Sequence, residues 1–270
     1  MGNLITTEKI VVDVKRKVYN ILEVNIPYSQ LSMIRVLQKE FDYEVKGTIY
    51  VDHSHKFVSF EVRTDNSETY SYGASDWKIS FHTHPDNTAQ KYGIRYYSPP
   101  SVDDVMEIYD HCEQFVPDNT ACGFGEISII FANEGIYVLQ VNRESFAAFN
   151  KENLPLDGLE VLLNSTLTPY LVSELKRGMS DVVEGRSVNT NNGGKIVPRV
   201  RRKDADQKSK LNMDNPDITY EQFTEVVKRV SRKVTESYGF DMNFYSWKEL
   251  ENGGLNLKVC DYFLNKKVVD

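Results

Sequence analysis

Cysteine is scarce in this chain. Cys112, Cys122 and Cys260 are the three in 270 residues, an odd count without Cys-x-x-Cys spacing. A cysteine-ligated zinc site is excluded, and the three read as free thiols in a reducing compartment, the cytoplasm. No run of eighteen apolar residues occurs, so no transmembrane segment is predicted. The first residues have no apolar core with a cleavage site and do not read as a secretory signal. Positive charge is also short: Lys and Arg number 32 against 39 Asp and Glu, a formal net charge of -7. That balance argues against a nucleic-acid coat, and no specific nucleic-acid partner is predicted. A glycine-rich phosphate loop is missing, as is any Ser-His-Asp order, which removes two common routes to catalysis.

What remains is the composition of an ordinary globular protein, 40% hydrophobic and 26% charged. Leu31, Ile34, Val36, Leu37 and Phe41 recur at helical spacing. Strands are predicted over 43–51, 57–62 and 77–82, and a further one near Ile10, Val12 and Val14. Ser101 is a good N-cap for a helix carrying Val105, Ile108 and Tyr109, and a hairpin is expected around Asn133-Glu134-Gly135. This order of strands and helices predicts an α+β domain over 1–150. A helical connector follows over 151–184, capped by Asp157 and Glu160, with Leu159, Leu162, Leu163, Leu167, Leu171 and Leu175 as its buried stripe and a kink at Pro169. Residues 185–217 read as a flexible basic linker, and 218–270 as a mainly helical, aromatic-rich C-terminal segment.

The chemistry concentrates in His82-Thr83-His84-Pro85 and Pro100-Ser101-Val102-Asp103-Asp104. Residues two apart on a strand point to the same face, so His82 and His84 can grip one ion together. His53-Ser54-His55 has the same spacing but falls in a polar turn and is not assigned a role. Ser-x-x-Asp is also an ordinary capping box, and a helix start is where a short carboxylate is held rigidly. Asp104 is the expected third ligand, with Asp103 as the alternative. Three such ligands leave one position open for water, the arrangement of a hydrolytic zinc centre. Glu44, in Glu44-Val45-Lys46-Gly47, would be the base, and the Ser101 hydroxyl would donate to a developing oxyanion.

In this order, Glu, His-x-His-Pro and Ser-x-x-Asp resemble the signature of the JAMM (MPN+) zinc metalloproteases, over roughly residues 10–150. Pro100-Ser101-x-x-Asp104 is similar to the prokaryotic RadC-type branch. The resemblance implies one Zn2+ per chain held by His82, His84 and Asp104, with Glu44 as acid/base and Ser101 steadying the tetrahedral intermediate. It implies an MPN/JAMM-like (cytidine-deaminase-like) mixed sheet flanked by helices, and a protein or peptide substrate such as a ubiquitin-like conjugate. The spacing from His84 to Asp104 exceeds the family's, which makes residues 86–98, with Tyr92, Tyr96 and Tyr97, an insertion expected to act as a lid or substrate groove.

Three further features complete the sequence. Met1-Gly2-Asn3-Leu4-Ile5-Thr6 fits the loose pattern for N-myristoylation at Gly2. Lys195, Arg199, Arg201, Arg202, Lys203, Lys208 and Lys210 against Asp204 and Asp206 read as a solvated arm, with docking to an acidic partner or nucleic acid as the alternative. Phe240, Phe244, Tyr245 and Trp247 read as core. Two functional classes follow: a zinc peptidase or isopeptidase, and a structural or assembly subunit whose C-terminal region contacts a protein partner. An intact polar site favours the first, since a scaffold has no physical need to bury one.

Overall fold

The computed structural model describes residues 21–51, 58–63, 79–85, 98–115, 124–183 and 219–260. The expected strand near Ile10, the His53-Ser54-His55 turn, residues 86–97 of the insertion, the basic linker and the Gly2 site lie outside these. In chain order the elements are β1 (Ile21–Ile26), α1 (Tyr28–Glu40), β2 (Lys46–Val51), β3 (Val58–Arg63), β4 (Ile79–Thr83) and α2 (Val102–Phe115). They continue with β5 (Phe124–Phe131), β6 (Gly135–Asn142), α3 (Arg143–Phe149), α4 (Leu156–Val183), α5 (Tyr220–Tyr238), β7 (Phe240–Ser246), α6 (Trp247–Gly253) and β8 (Leu255–Cys260). The class is α+β, with a mixed sheet flanked by helices. Among the described residues no helix is long and apolar enough to cross a membrane.

Six strands form the main sheet in the order β3-β2-β4-β5-β6-β7, and β1 pairs with β8 in a separate antiparallel ribbon. Only β4 and β5 run parallel among these pairs. A parallel pair cannot be joined by a tight turn, and the crossover includes α2. Strand periodicity then sorts the side chains onto two faces. Ile79, Phe81, Ile127, Ile129, Phe131, Ile136 and Val138 pack with α1, α6 and the β1–β8 ribbon. Ile130, Tyr137, Leu139, Val141, Phe240, Met242 and Phe244 pack on the other face with α2, α4 and α5. Ser80 and His82 alternate with Ile79 and Phe81, so His82 faces the α2 side.

Helix α4 carries Leu159, Leu163, Leu167, Leu171, Leu175 and Met179 at every fourth position, all buried, while Leu162 is half-buried. The helix begins at Leu156, so Asp157 stands in the first turn instead of capping it. It runs unbroken in assignment through Pro169, which is exposed. Helix α5 is delimited as the physical chemistry of helix ends requires. Thr219 and Gln222 form a reciprocal capping box, and Gly239 closes the helix at φ 68, where a side chain would be strained.

The largest difference from the sequence-based division concerns the C-terminal segment. Helices α5 and α6 make up most of its described part, as expected, but the domain expected to end near residue 150 also takes strands from it: β7 pairs with β6 from Gly135↔Ser246 to Val141↔Phe240, and β8 pairs with β1. The physical reason is the alternation Phe240, Met242, Phe244, whose buried side needs a sheet to lie on. Phe240 is 1% exposed and meets Tyr109 of α2 edge to face at 6.1 Å. Phe240→Ala is therefore expected to destabilise the whole fold by about 3–5 kcal/mol in chemical denaturation. A loss below about 1 kcal/mol would place residues 219–260 outside the cooperative unit.

Candidate metal centre

The crossover explains where the site forms. Strand β4 ends at Thr83, and its extended continuation carries His84; α2 begins at Val102. The histidines therefore leave the carboxyl end of a strand while the first turn of α2 stands beside it. Ser101 and Asp104 are locked in reciprocal capping. The Ser101 backbone N–H and hydroxyl both donate to Asp104 Oδ2, the hydroxyl at 2.8 Å, and the Asp104 N–H donates back to Ser101 Oγ at 3.2 Å. A carboxylate in a first helical turn is also favoured by the helix dipole. Asp104 points inward and is buried, whereas Asp103, the alternative ligand, is exposed.

His82, His84 and Asp104 each offer one ligand atom, and these atoms lie within 4.8 Å of one another. The two Nε2 atoms are 3.3 Å apart. Asp104 Oδ1 is 2.9 Å from His82 Nε2, and Oδ2 is 3.5 Å from His84 Nε2. A tetrahedral ion with bonds of about 2.0–2.1 Å needs its ligand atoms about 3.3 Å apart. The two imidazole nitrogens meet that value, while each oxygen of Asp104 approaches a different imidazole. Two imidazoles and a carboxylate, all buried, can hold a divalent metal ion and leave a fourth position.

The ring of His84 is oriented from behind. Its Nδ1 lies 3.0 Å from the Ser98 carbonyl oxygen, which can only accept, so Nδ1 carries the proton and Nε2 presents its lone pair to the site. The His84 N–H donates to the Phe131 carbonyl at 2.8 Å, and Gln38 Nε2 donates to the His84 carbonyl at 2.9 Å. Thr83 ties the end of β4 to the residue just before β2: its N–H donates to the Val45 carbonyl and its hydroxyl accepts from the Val45 N–H, both at 2.9 Å.

That tie also places Glu44. Continuing the antiparallel register from Lys46↔His82 sets Glu44 across from His84, on the face shared by both histidines. Its side chain is 43% exposed, with Lys46 Nζ at 3.6 Å from Oε2. Such an exposed pair holds a side chain only loosely. Glu44 thus stands at the rim, with its charge felt at His82.

Electrostatics fit a site awaiting a cation. Burial alone pulls the His82 pKa down. The Asp104 carboxylate outweighs it by charge and hydrogen bond, Glu44 and Glu107 add to it, and the net value is raised to about 9. Burial likewise pushes Asp104 up, but the two imidazoles hold it well below the usual carboxylate range. In the metal-free protein a proton therefore occupies His82 through the neutral range.

Sequence reasoning placed His82, His84, Asp104, Ser101 and Glu44 near one another; the structure gathers His82, His84 and Asp104, with Ser101 bonded to Asp104, and leaves Glu44 at the rim. It missed Gln38 and Glu134. Gln38 is a polar residue on the buried face of α1, detectable only as a break in an apolar stripe. Glu134 sits in a two-residue hairpin turn, where a carboxylate is ordinarily solvated, yet it is fully buried. No local signal marks it. Comparison with family models, with curated proteins and with solved structures finds no match to this chain.

Metal entry must displace the His82 proton, which sets the sign of the pH dependence: affinity rises with pH until about pH 9 and levels above it. From about pH 6 to about pH 8 the gain is expected to be about a hundredfold, one proton per ion. Chelator competition with Zn2+ or Co2+ measures it, and a flat profile would remove His82 from the ligand set.

Proposed function

We propose that this chain is a zinc-dependent hydrolase of peptide or isopeptide bonds, of the JAMM (MPN+) kind. The observation that carries the proposal is the meeting of two buried imidazoles and a capped carboxylate, one ligand atom from each within 4.8 Å of the others, with Glu44 on the same face at the rim. Two nitrogens and one oxygen in that geometry suit Zn2+ among common metals. A zinc ion held there supplies Lewis acidity, polarising a carbonyl and lowering the pKa of water.

The chain's own groups do the rest. Glu44 accepts a proton from the attacking water and delivers it to the leaving amine. A half-exposed carboxylate suits this work, because it must reach both water and a bound chain. Ser101 rests its hydroxyl on Asp104 Oδ2 and so steadies the ligand; in the reaction it turns that donor toward the developing oxyanion. His84 keeps its Nδ1 proton on Ser98 and its Nε2 on the ion. The mixed sheet with helices on either side is consistent with an MPN/JAMM-like (cytidine-deaminase-like) arrangement. The expected substrate is a protein or peptide, with a ubiquitin-like conjugate as the first class to assay.

Purified protein loaded with zinc, assayed on a panel of ubiquitin-like conjugates and short peptides, tests the proposal. Glu44→Gln is expected to keep its zinc and lose at least about a hundredfold in turnover, because the ligands survive while proton transfer fails. His84→Ala should lose zinc and turnover together. A zinc-loaded parent that cuts nothing on the panel would favour the assembly-subunit alternative, and a parent that binds no zinc would sink both zinc and hydrolysis.

A further inference from the structure

We infer that Glu134 is a positioning residue for His84, and that the C-terminal segment holds Glu134 in place to do it. This rests on His84 being a metal ligand. Glu134 belongs to the turn between β5 and β6, where a solvated carboxylate would cost nothing, yet it is 0% exposed. Burying a carboxylate is unfavourable unless donors surround it. Here the Ser98 backbone N–H donates to Oε1 at 3.1 Å and Oε2 at 3.2 Å, the Ser98 hydroxyl lies 3.5 Å from Oε2, and the Tyr137 hydroxyl donates to Oε1 at 2.7 Å.

The grip on Ser98 passes to His84 through stiff backbone. Ser98 precedes Pro99 and Pro100. A residue before proline is confined to extended conformations, and each proline fixes its own φ. With its N–H clamped and its ψ restricted, Ser98 has little freedom to turn its carbonyl. That carbonyl takes the His84 Nδ1 proton at 3.0 Å.

The turn carrying Glu134 is itself anchored by distant parts of the chain. The Tyr220 hydroxyl, at the start of α5, donates to the Glu134 carbonyl. Trp247 Nε1, at the start of α6, donates to the Ala132 carbonyl at 3.2 Å and the Asn133 carbonyl at 3.0 Å. Gln38 Nε2 bridges Asn133 Oδ1 at 3.1 Å and the His84 carbonyl at 2.9 Å. Gly135 lets the strand behind approach, since a Cβ there would lie 2.2 Å from the Tyr245 carbonyl oxygen. Residues 219–260 thus reach His84 through one turn and one carboxylate.

Three substitutions separate positioning from charge and from general stability. Glu134→Gln keeps an acceptor oxygen at full reach, so Zn2+ and Co2+ affinities should stay within about threefold of the parent. Glu134→Asp keeps a carboxyl group but withdraws it from Ser98, and with Glu134→Ala should weaken both affinities about 10–100-fold and alter the Co2+ visible spectrum. Leu175→Ala, a core truncation remote from the turn, should leave affinity and spectrum unchanged. Imidazole nitrogen NMR of the metal-free protein supplies a second measurement: the His84 Nδ1–H form should dominate in the parent and Glu134→Gln and be lost in Glu134→Asp. Parent-like affinity in Glu134→Asp, or an equal loss in Leu175→Ala, overturns the inference. A parent that binds neither metal yet shows the tautomer change supports the positioning and overturns the zinc assignment instead.

Discussion

A parallel pairing between β4 and β5 governs the geometry of this protein, because two parallel neighbours cannot be connected without carrying the chain back across the sheet. Helix α2 lies in that return path. Its first turn arrives beside the end of β4, and the two segments that carry chemistry meet although twenty positions separate His84 from Asp104. The same constraint divides the faces of the sheet. With Ile79 and Phe81 committed to the α1 side, His82 is left facing α2, where Asp104 is capped in place. A one-residue slip of β4 would put both histidines in an apolar layer and abolish the centre.

Within the centre, burial and charge are set against each other. Two imidazoles and a carboxylate removed from water are unfavourable separately, and each is retained because the others are present. The raised His82 and the depressed Asp104 express that balance in the metal-free protein: the cluster recruits a proton as its cation. A divalent ion held there, as proposed, would meet the same electrostatic demand with more charge. Ion and proton would then compete for the cluster.

The parts of this arrangement that were legible in the sequence share one property: their geometry is local. Residues two apart on a strand share a face, and Ser-x-x-Asp closes on itself, so His82, His84, Ser101 and Asp104 could be placed from spacing alone. Glu44 was marked only by the Gly47 that follows it, its place ahead of the site strands and the resemblance; its cross-strand position depends on the register between β2 and β4, which spacing does not fix. Asp104 is capped by Ser101 and buried beside both histidines, whereas Asp103 is exposed. Glu134 and Gln38 were illegible because their partners lie 36 and 46 residues away. The role of β7 was hidden for a related reason. Seven residues of alternating burial after a helix look like a tail of aromatic core until a sheet edge is known to be waiting for them.

Rigidity is distributed unevenly around the site, and the distribution follows what each group has to do. The buried trio is held from three directions: Asp104 by its own helix cap, His84 by Ser98 and Gln38, and the strand end between the two histidines by the bonds of Thr83 to Val45. A metal centre needs this, since a ligand displaced by a fraction of an ångström costs affinity. Among the described residues, Glu44 pairs with Lys46 alone, in an exposed ion pair. If Glu44 is the proposed base, it must change its hydrogen bonds during the reaction, and fixing it as firmly as the buried trio would oppose that change. Lys46 neutralises its charge in solvent without enclosing it, so the carboxylate can turn toward a bound chain at little cost. The same fold that clamps the imidazoles therefore leaves its one candidate base at the water's edge.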